Sequence, residues 1–500
     1  PAAAPDSRGE ALSEAGAKPP GSTALPRAHM PPSPKALRSR GPAADYVWLI
    51  GGGYDPNSSQ AQIEQNVLWV SQLLKTIPGA RTQRIYFDDG DNPASDVREQ
   101  MPLRAASLEP LRRLFAHGHV AGYRYRNHAI PKVDGGTEHT ALVANLEREI
   151  AGLRPGDRLL IVFNGHGSRN RRDSKGNRLW LWNNTSLDVR EFDTLLARVP
   201  PVVPVRFVFT QCYAGAFARL APGPDGNRCG FLAESEDREA EGCAAGVNAG
   251  DYRDYTTYFF AALSGRTRLG GLLPVNPDLD GDGQVSLYEA HLYALRAGES
   301  ADLPRSTSEA FLERWQPWYA DWRGLFGLRG DEPPDNVYTR LAQELGAKLD
   351  LPMDDKASRR ALKQRRAELQ SRARALQRRQ RGHLNHLQRL QHEIQQAVAE
   401  RHPELGRLSQ SETPTDTDAE TRDIIHAIGE HPRYAELVQA QDAHAAGEEE
   451  LLTIERSLSR LDMFQRLKRL ARWQGRFETE ASAADRVTHG KLLACEQQGL

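Results

Sequence analysis

Leu159-Leu160-Ile161-Val162-Phe163-Asn164-Gly165-His166-Gly167-Ser168 is the stretch whose reading decides the fold. Five consecutive apolar residues, β-branched at two of them, are too short for a typical helix and have no polar face. They predict a strand buried on both sides, as the strands of parallel sheets are. Val205-Arg206-Phe207-Val208-Phe209 repeats the design and runs into Thr210-Gln211-Cys212-Tyr213-Ala214-Gly215. Two earlier runs match: Tyr46-Val47-Trp48-Leu49-Ile50, stopped by Gly51-Gly52-Gly53, and Arg84-Ile85-Tyr86-Phe87, stopped by Asp88-Asp89-Gly90. Between the runs, apolar residues recur at helical spacing over 62–74, 140–153 and 187–199. Strands alternating with amphipathic helices predict an α/β domain with a mainly parallel sheet.

In such sheets reactive groups collect beyond the carboxyl ends of the strands. Here one strand ends in His166 and another in Cys212, each beside small residues. An imidazole next to a thiol serves both as the base that makes a thiolate and as the acid that protonates a leaving amine. The amides of Gly167 and Cys212 are the candidate oxyanion donors. An apolar strand before Gly-His-Gly, then an apolar strand before Gln-Cys-x-x-Gly, resembles the cysteine peptidase clan of legumain, the GPI transamidase catalytic subunit and the caspases. The resemblance covers residues 46–325 and is nearest to the legumain and GPI-transamidase branch. Asn177 to Leu181 followed by Leu187 to Leu196 is similar to that branch's short strand and helix between His and Cys. Phe87-Asp88-Asp89 is similar to its acidic strand end, and residues 228–260 to its post-nucleophile strand and specificity loop. The resemblance implies a caspase-like α/β/α sandwich and a cysteine endopeptidase working through a thioester. Where legumain has an Arg-His pair this chain has Asn57-Ser58-Ser59, a departure that leaves legumain's preference for cleavage after Asn open here. The rival readings are a transpeptidase or transamidase on the same dyad, and a non-catalytic scaffold. Glu234, Glu236, Asp237, Glu239 and Glu241 make the candidate specificity loop acidic, which reads either as a pocket favouring Arg or Lys at the cleavage position or, more simply, as a solvated edge. Cys229 and Cys243 flank that loop and are the predicted disulfide, which favours an extracytoplasmic home, periplasmic or secreted, over the cytoplasm.

Asp278-Leu279-Asp280-Gly281-Asp282-Gly283-Gln284-Val285-Ser286-Leu287-Tyr288-Glu289 fits the calcium loop of an EF-hand at each informative position. Asp278, Asp280 and Asp282 supply hard oxygens and Gly283 permits the turn. Gln284 offers its carbonyl, Ser286 a water-bridged contact and Glu289 a bidentate carboxylate. Pro274 and Pro277 preclude an entering helix, and a second loop is missing, so a structural calcium clip is expected rather than a sensor.

The chain has 500 residues, 65 Lys and Arg against 66 Asp and Glu, and no apolar run of membrane-spanning length. Near-zero net charge gives no whole-molecule attraction to nucleic acid or membrane. Residues 1–44, rich in Pro and Ala, predict a disordered leader. Residues 350–500 predict a separate all-α domain of coiled-coil character, with Leu362, Leu369, Leu376, His383 and Leu390 in one heptad series and a linker at Pro333-Pro334-Asp335. The basic run 356–389 and the acidic run 404–455 are expected to pair across a helical hairpin rather than bind nucleic acid. That hairpin is either a cap on the cleft or a module that binds a protein partner remote from it.

Overall fold

The computed structural model describes residues 45–77, 81–100, 106–115, 123–241, 252–315, 334–408 and 419–500. The predicted leader, Cys243 and Pro333 lie outside them. Six strands form the central sheet: β1 (Asp45–Gly52), β2 (Arg81–Phe87), β5 (Arg158–Gly165), β9 (Val205–Phe209), β10 (Arg228–Leu232) and β11 (Arg305–Ser306). Their order is β11-β10-β9-β5-β1-β2, and only the edge strand β11 runs antiparallel. Two small sheets sit outside it. One pairs β3 (Val97–Gln100) with β4 (Tyr123–Arg126), and the other joins β6 (Gly167–Ser168), β7 (Arg178–Leu181) and β8 (Thr185–Asp188).

The period of two along the strands builds two cores. In β1, Trp48 and Ile50 face one side, with α3 (His139–Gly152) and α4 (Val189–Leu196) packed over them. Val47 and Leu49 face the other, under α1 (Ala61–Thr76), α5 (Tyr255–Ser264) and α6 (Leu287–Ala297). The chain is therefore mixed α/β with a mainly parallel sheet covered on both faces. The helix expected over 187–199 is shorter: Leu187 is in β8, and Asp188 caps α4 through a capping box with Glu191.

The remaining helices are α2 (Glu109–Leu114), α7 (Thr307–Trp315), α8 (Val337–Lys348), α9 (Asp355–Ala399), α10 (Leu405–Leu408), α11 (Ala419–Gly429), α12 (Tyr434–Glu480) and α13 (Ala483–Glu496). α9 and α12 form the predicted hairpin, with Leu362, Leu376 and Leu390 buried in its seam. Of the predicted linker Pro333-Pro334-Asp335, Asp335 is exposed and Pro333 lies outside the described residues. α8 follows at once, with Tyr338, Leu341, Ala342 and Leu345 buried in one cluster with residues of α6 and α12. One expectation is corrected: 350–500 is not one separate domain. Its last helix returns to the sheet, placing Leu492 in the α3–α4 core and Cys495 against β10. No helix among the described residues is long and apolar enough to cross a membrane.

Candidate active site

β5 and β9 are adjacent and parallel, with Phe163 opposite Phe209. His166 and Cys212 each stand three residues beyond that pair, so both leave the sheet at the same edge. The two backbones close on each other there. A Cβ at Gly167 would lie 2.3 Å from the Cys212 carbonyl oxygen and 2.7 Å from the Gln211 side chain, so only glycine fits. The Asn164 amide bonds Thr210 Oγ1 at 3.0 Å and Thr256 Oγ1 at 2.9 Å, which ties the two strand ends to α5. Tyr213, next to the sulfur, has φ 61°, a left-handed backbone that costs a non-glycine residue of order 1 kcal/mol and recurs at functional turns.

His166 is held from two sides. Its Nε2 lies 2.8 Å from the Ser58 carbonyl oxygen, and Tyr54 packs edge-on at 5.8 Å between ring centroids. A ring nitrogen bonded to a carbonyl must carry the proton, which leaves the lone pair on Nδ1. Burial lowers the pKa of the ring, and the Ser58 carbonyl opposes that only in part. The Ser58 carbonyl is itself fixed by a turn in which Ser58 Oγ accepts from the amides of Tyr54 and Asp55 at 2.8 and 3.0 Å. Asp88, fully buried, accepts from the Gly53 amide at 2.7 Å and from Ser59 Oγ. Desolvation raises its pKa well above the usual carboxylate value. Neither Ser58 nor Asp88 had been given a role from sequence. The Asp88 signal was present in the acidic strand end, whereas the Ser58 contact is made by backbone and leaves no mark on side-chain identity.

Cys212 is 4% exposed and disulfide-bonded. The Ala240 amide donates to its sulfur at 3.3 Å. Ala240 belongs to the acidic loop, which is not simply a solvated edge: Glu234 and Glu241 are buried. Burial lifts the Glu234 carboxyl to about 7. Glu241 is clamped by Arg456 of α12, whose Nε lies 3.1 and 3.2 Å from its two carboxylate oxygens. The Glu241 amide donates to Asp302 at 2.7 Å, and Arg238 reaches Ser459 Oγ of α12 at 2.9 Å. The hairpin thus touches the loop that packs on the sulfur. Beside Ala240 a small cavity is lined by Asn66, Asn164, Thr210, Asp254, Tyr255 and Asp302.

The predicted disulfide is also corrected. Cys229 bonds Cys495, with Cα atoms 6.0 Å apart, and not Cys243. Cys229 is fully buried in β10, and α13 packs against that strand.

In the candidate calcium loop, Asp278, Asp280 and Asp282 each bring an oxygen within 4.8 Å of the others. Gly283 has φ 84°, as its position requires. Asp278 accepts from the amides of Gly281 and Gly283, and Ser286 caps α6. Glu289 is not in the three-carboxylate group. It accepts from the Leu279 amide at 2.8 Å and from the amide and hydroxyl of Ser286 at 2.9 Å each. Gln284 lies alongside, its amide donating to Asp282 at 2.8 Å. The three aspartates are the chemistry calcium takes, hard oxygens on a turn.

No family model and no curated protein matches this chain.

Proposed function

We propose that the chain is a cysteine endopeptidase of caspase-like fold, with Cys212 as nucleophile and His166 as general base and acid. One observation carries this reading: a desolvated imidazole in a fixed tautomer and a cysteine leave one sheet edge from adjacent, registered strands. The mainly parallel sheet with a single antiparallel edge supports the caspase-like assignment. In the reaction His166 Nδ1 takes the thiol proton, the thiolate adds to the scissile carbonyl, and the amides of Gly167 and Cys212 receive the oxyanion. The same nitrogen returns the proton to the leaving amine, and water, deprotonated by His166, hydrolyses the thioester. The Ala240 amide favours the thiolate by donating to sulfur.

The oxidised, covered Cys212 marks a latent form, so a thiol reductant is required before turnover. The Cys229–Cys495 bridge supports an oxidising, extracytoplasmic compartment. Calcium, held by Asp278, Asp280 and Asp282 with the Gln284 carbonyl, has a structural role: it would brace the start of α6, whose far end leads to Asp302. The test is hydrolysis of a peptide library by the reduced protein, with Cys212→Ala as control. Cleavage that survives in the variant, or no cleavage by the reduced chain, would sink the reading.

A further inference from the structure

The hairpin absorbs less of the basic run in α9 than its sequence promised. Arg366 and Arg372 pair across it with Asp462 and Glu450, and Arg365 pairs with Asp350. Lys356, Arg360, Lys363, Arg374, Arg378 and Arg381 do not: each is exposed, and among the described residues none has a carboxylate within ion-pair distance. At about 100° per residue these six fall on one face of the helix, opposite the seam made by Leu362, Leu376 and Leu387. Arg359 and Arg389, also exposed, sit at the two margins of that face, which is about 120° wide and, from 356 to 389, about 50 Å long. Its remaining positions are Ala367, Gln370, Ser371, Gln377, Asn385 and Gln388. No acid falls on it. Glu368 lies outside the stripe, on the flank of the helix.

A row of cations of one sign, without compensation, costs self-repulsion and is solvated only in part by counterions. We infer that this face of α9 is a binding surface for the phosphate backbone of duplex nucleic acid, read without sequence preference. Four observations select that occupant. The stripe is linear, as a polymer of phosphates is. It is mostly Arg, whose planar fork bonds phosphate oxygens in pairs. Its gaps hold Gln, Asn and Ser, the other side chains that contact phosphate and sugar. It carries no aromatic residue on which unstacked bases would lie, and no apolar residue larger than Ala367 to enter a lipid layer. A duplex presents one charge per roughly 1.7 Å, so several of these cations would each release counterions on contact. This inference is independent of the peptidase reading.

The full chain is titrated against a fluorescent 20-base-pair duplex at several salt concentrations, beside the single strand and vesicles of phosphatidylserine and phosphatidylcholine. The expected result is tight binding at low salt with a log-log salt slope of about −5, as six phosphate contacts give at ~0.9 each. Replacing Lys363, Arg374, Arg378 and Arg381 together by Gln should weaken binding at least thirtyfold and flatten the slope by about 3 to 4. Because all four are solvated, circular dichroism should be unchanged. Arg379→Gln, exposed but off the stripe, should bind the duplex within threefold of the unaltered chain. Absence of duplex binding, a wild-type slope shallower than about −2, or equal affinity for the single strand would overturn the inference. So would a fourfold variant that binds as the unaltered chain does, or binding to the vesicles alone.

Discussion

His166 is placed to stay neutral. Half-buried, with one nitrogen committed to the Ser58 carbonyl, it loses more from desolvation of the imidazolium than that carbonyl returns. A lowered pKa means the ring holds a free lone pair to more acid pH than an exposed imidazole does. The acid limb of kcat/KM should therefore fall below pH 6.5, the ordinary histidine value. A limb above 6.5 would mean that another group, or an imidazolium–thiolate pair, controls the profile. Cys212→Ala should abolish turnover and leave the fold intact, and His166→Ala should cost roughly 10²- to 10⁴-fold. Neither native residue should act until Cys212 is reduced, so activity should appear with dithiothreitol and vanish on reoxidation. Equal rates with and without reductant would remove the thiol from the chemistry. At this scale the sequence was informative where function rests on side-chain identity. It was mute where function rests on a carbonyl, as at Ser58, or on burial, as at Glu241.

Elements with one dominant period were legible, and elements whose character comes from contact were not. β1, β5 and β9 are apolar throughout because both faces are covered, and α1 and α3 show their buried stripe directly. α8 was hidden behind the Pro-rich segment before it, and the two short sheets are too brief to show a period. The calcium loop was legible because its ligands are consecutive. The loop stands at the N-terminus of α6, whose Tyr293 and Ala294 pack into the core under the sheet. A ligand bound only by the native state stabilises it by about 2.7 kcal/mol at a hundred times its dissociation constant. Chelation should therefore lower Tm by several degrees, and Asp280→Asn should abolish that response. Asp280→Asn is cleaner than Glu289→Gln, because Glu289 also bonds the backbone that starts α6. An unchanged melting curve on chelation would remove calcium from the account. Between elements, Arg456 of α12 holds Glu241, one residue from the amide on the sulfur. Arg456→Gln should loosen that loop, and alkylation of reduced Cys212 by iodoacetamide should speed up several-fold. Unaltered or slower alkylation would mean that the hairpin does not cover the thiol.

The whole molecule is closed by its C-terminus, which sequence could not reveal because the contacts join residues hundreds of positions apart. The Cys229–Cys495 bridge spans 266 positions and restricts the unfolded chain by up to about 5 kcal/mol in the entropy model. Arg466 of α12 is buried against Glu309 and Glu313 of α7 at 2.8 and 2.7 Å. Burial alone would raise the Glu309 carboxyl, but Arg466 and His291 hold it below its usual range. Removing Arg466 would leave the buried Glu309 with His291 as its remaining partner and the half-buried Glu313 with Arg305, so the hairpin is bound to the body by a cluster that is costly to break. A chain ending near residue 340 would lose Arg466, the bridge and α13 together, and should fail to fold rather than gain activity. Glu496 closes the set. It is fully buried and accepts from Thr307 Oγ1 and the Ser308 amide, both at 2.7 Å, and from Ser308 Oγ. Desolvation lifts its pKa to about 7 in spite of those donors, against an ordinary glutamate value of 4.5. The native state thus keeps a proton that the unfolded chain gives up. The stabilisation is complete below pH 4.5 and is lost as pH rises through about 7, some 3 kcal/mol over the window. Glu496→Gln is neutral throughout and should lack that loss. Melting both proteins from pH 4 to 8 isolates the residue, since Glu234, which titrates in the same range, is common to both. The variant's Tm should gain on that of the unaltered chain steadily between pH 4.5 and 7 and level off above. A constant difference across the range would mean that Glu496 is ionised in the folded protein, and that the last turn of α13 is held as a charged cap on Thr307 and Ser308.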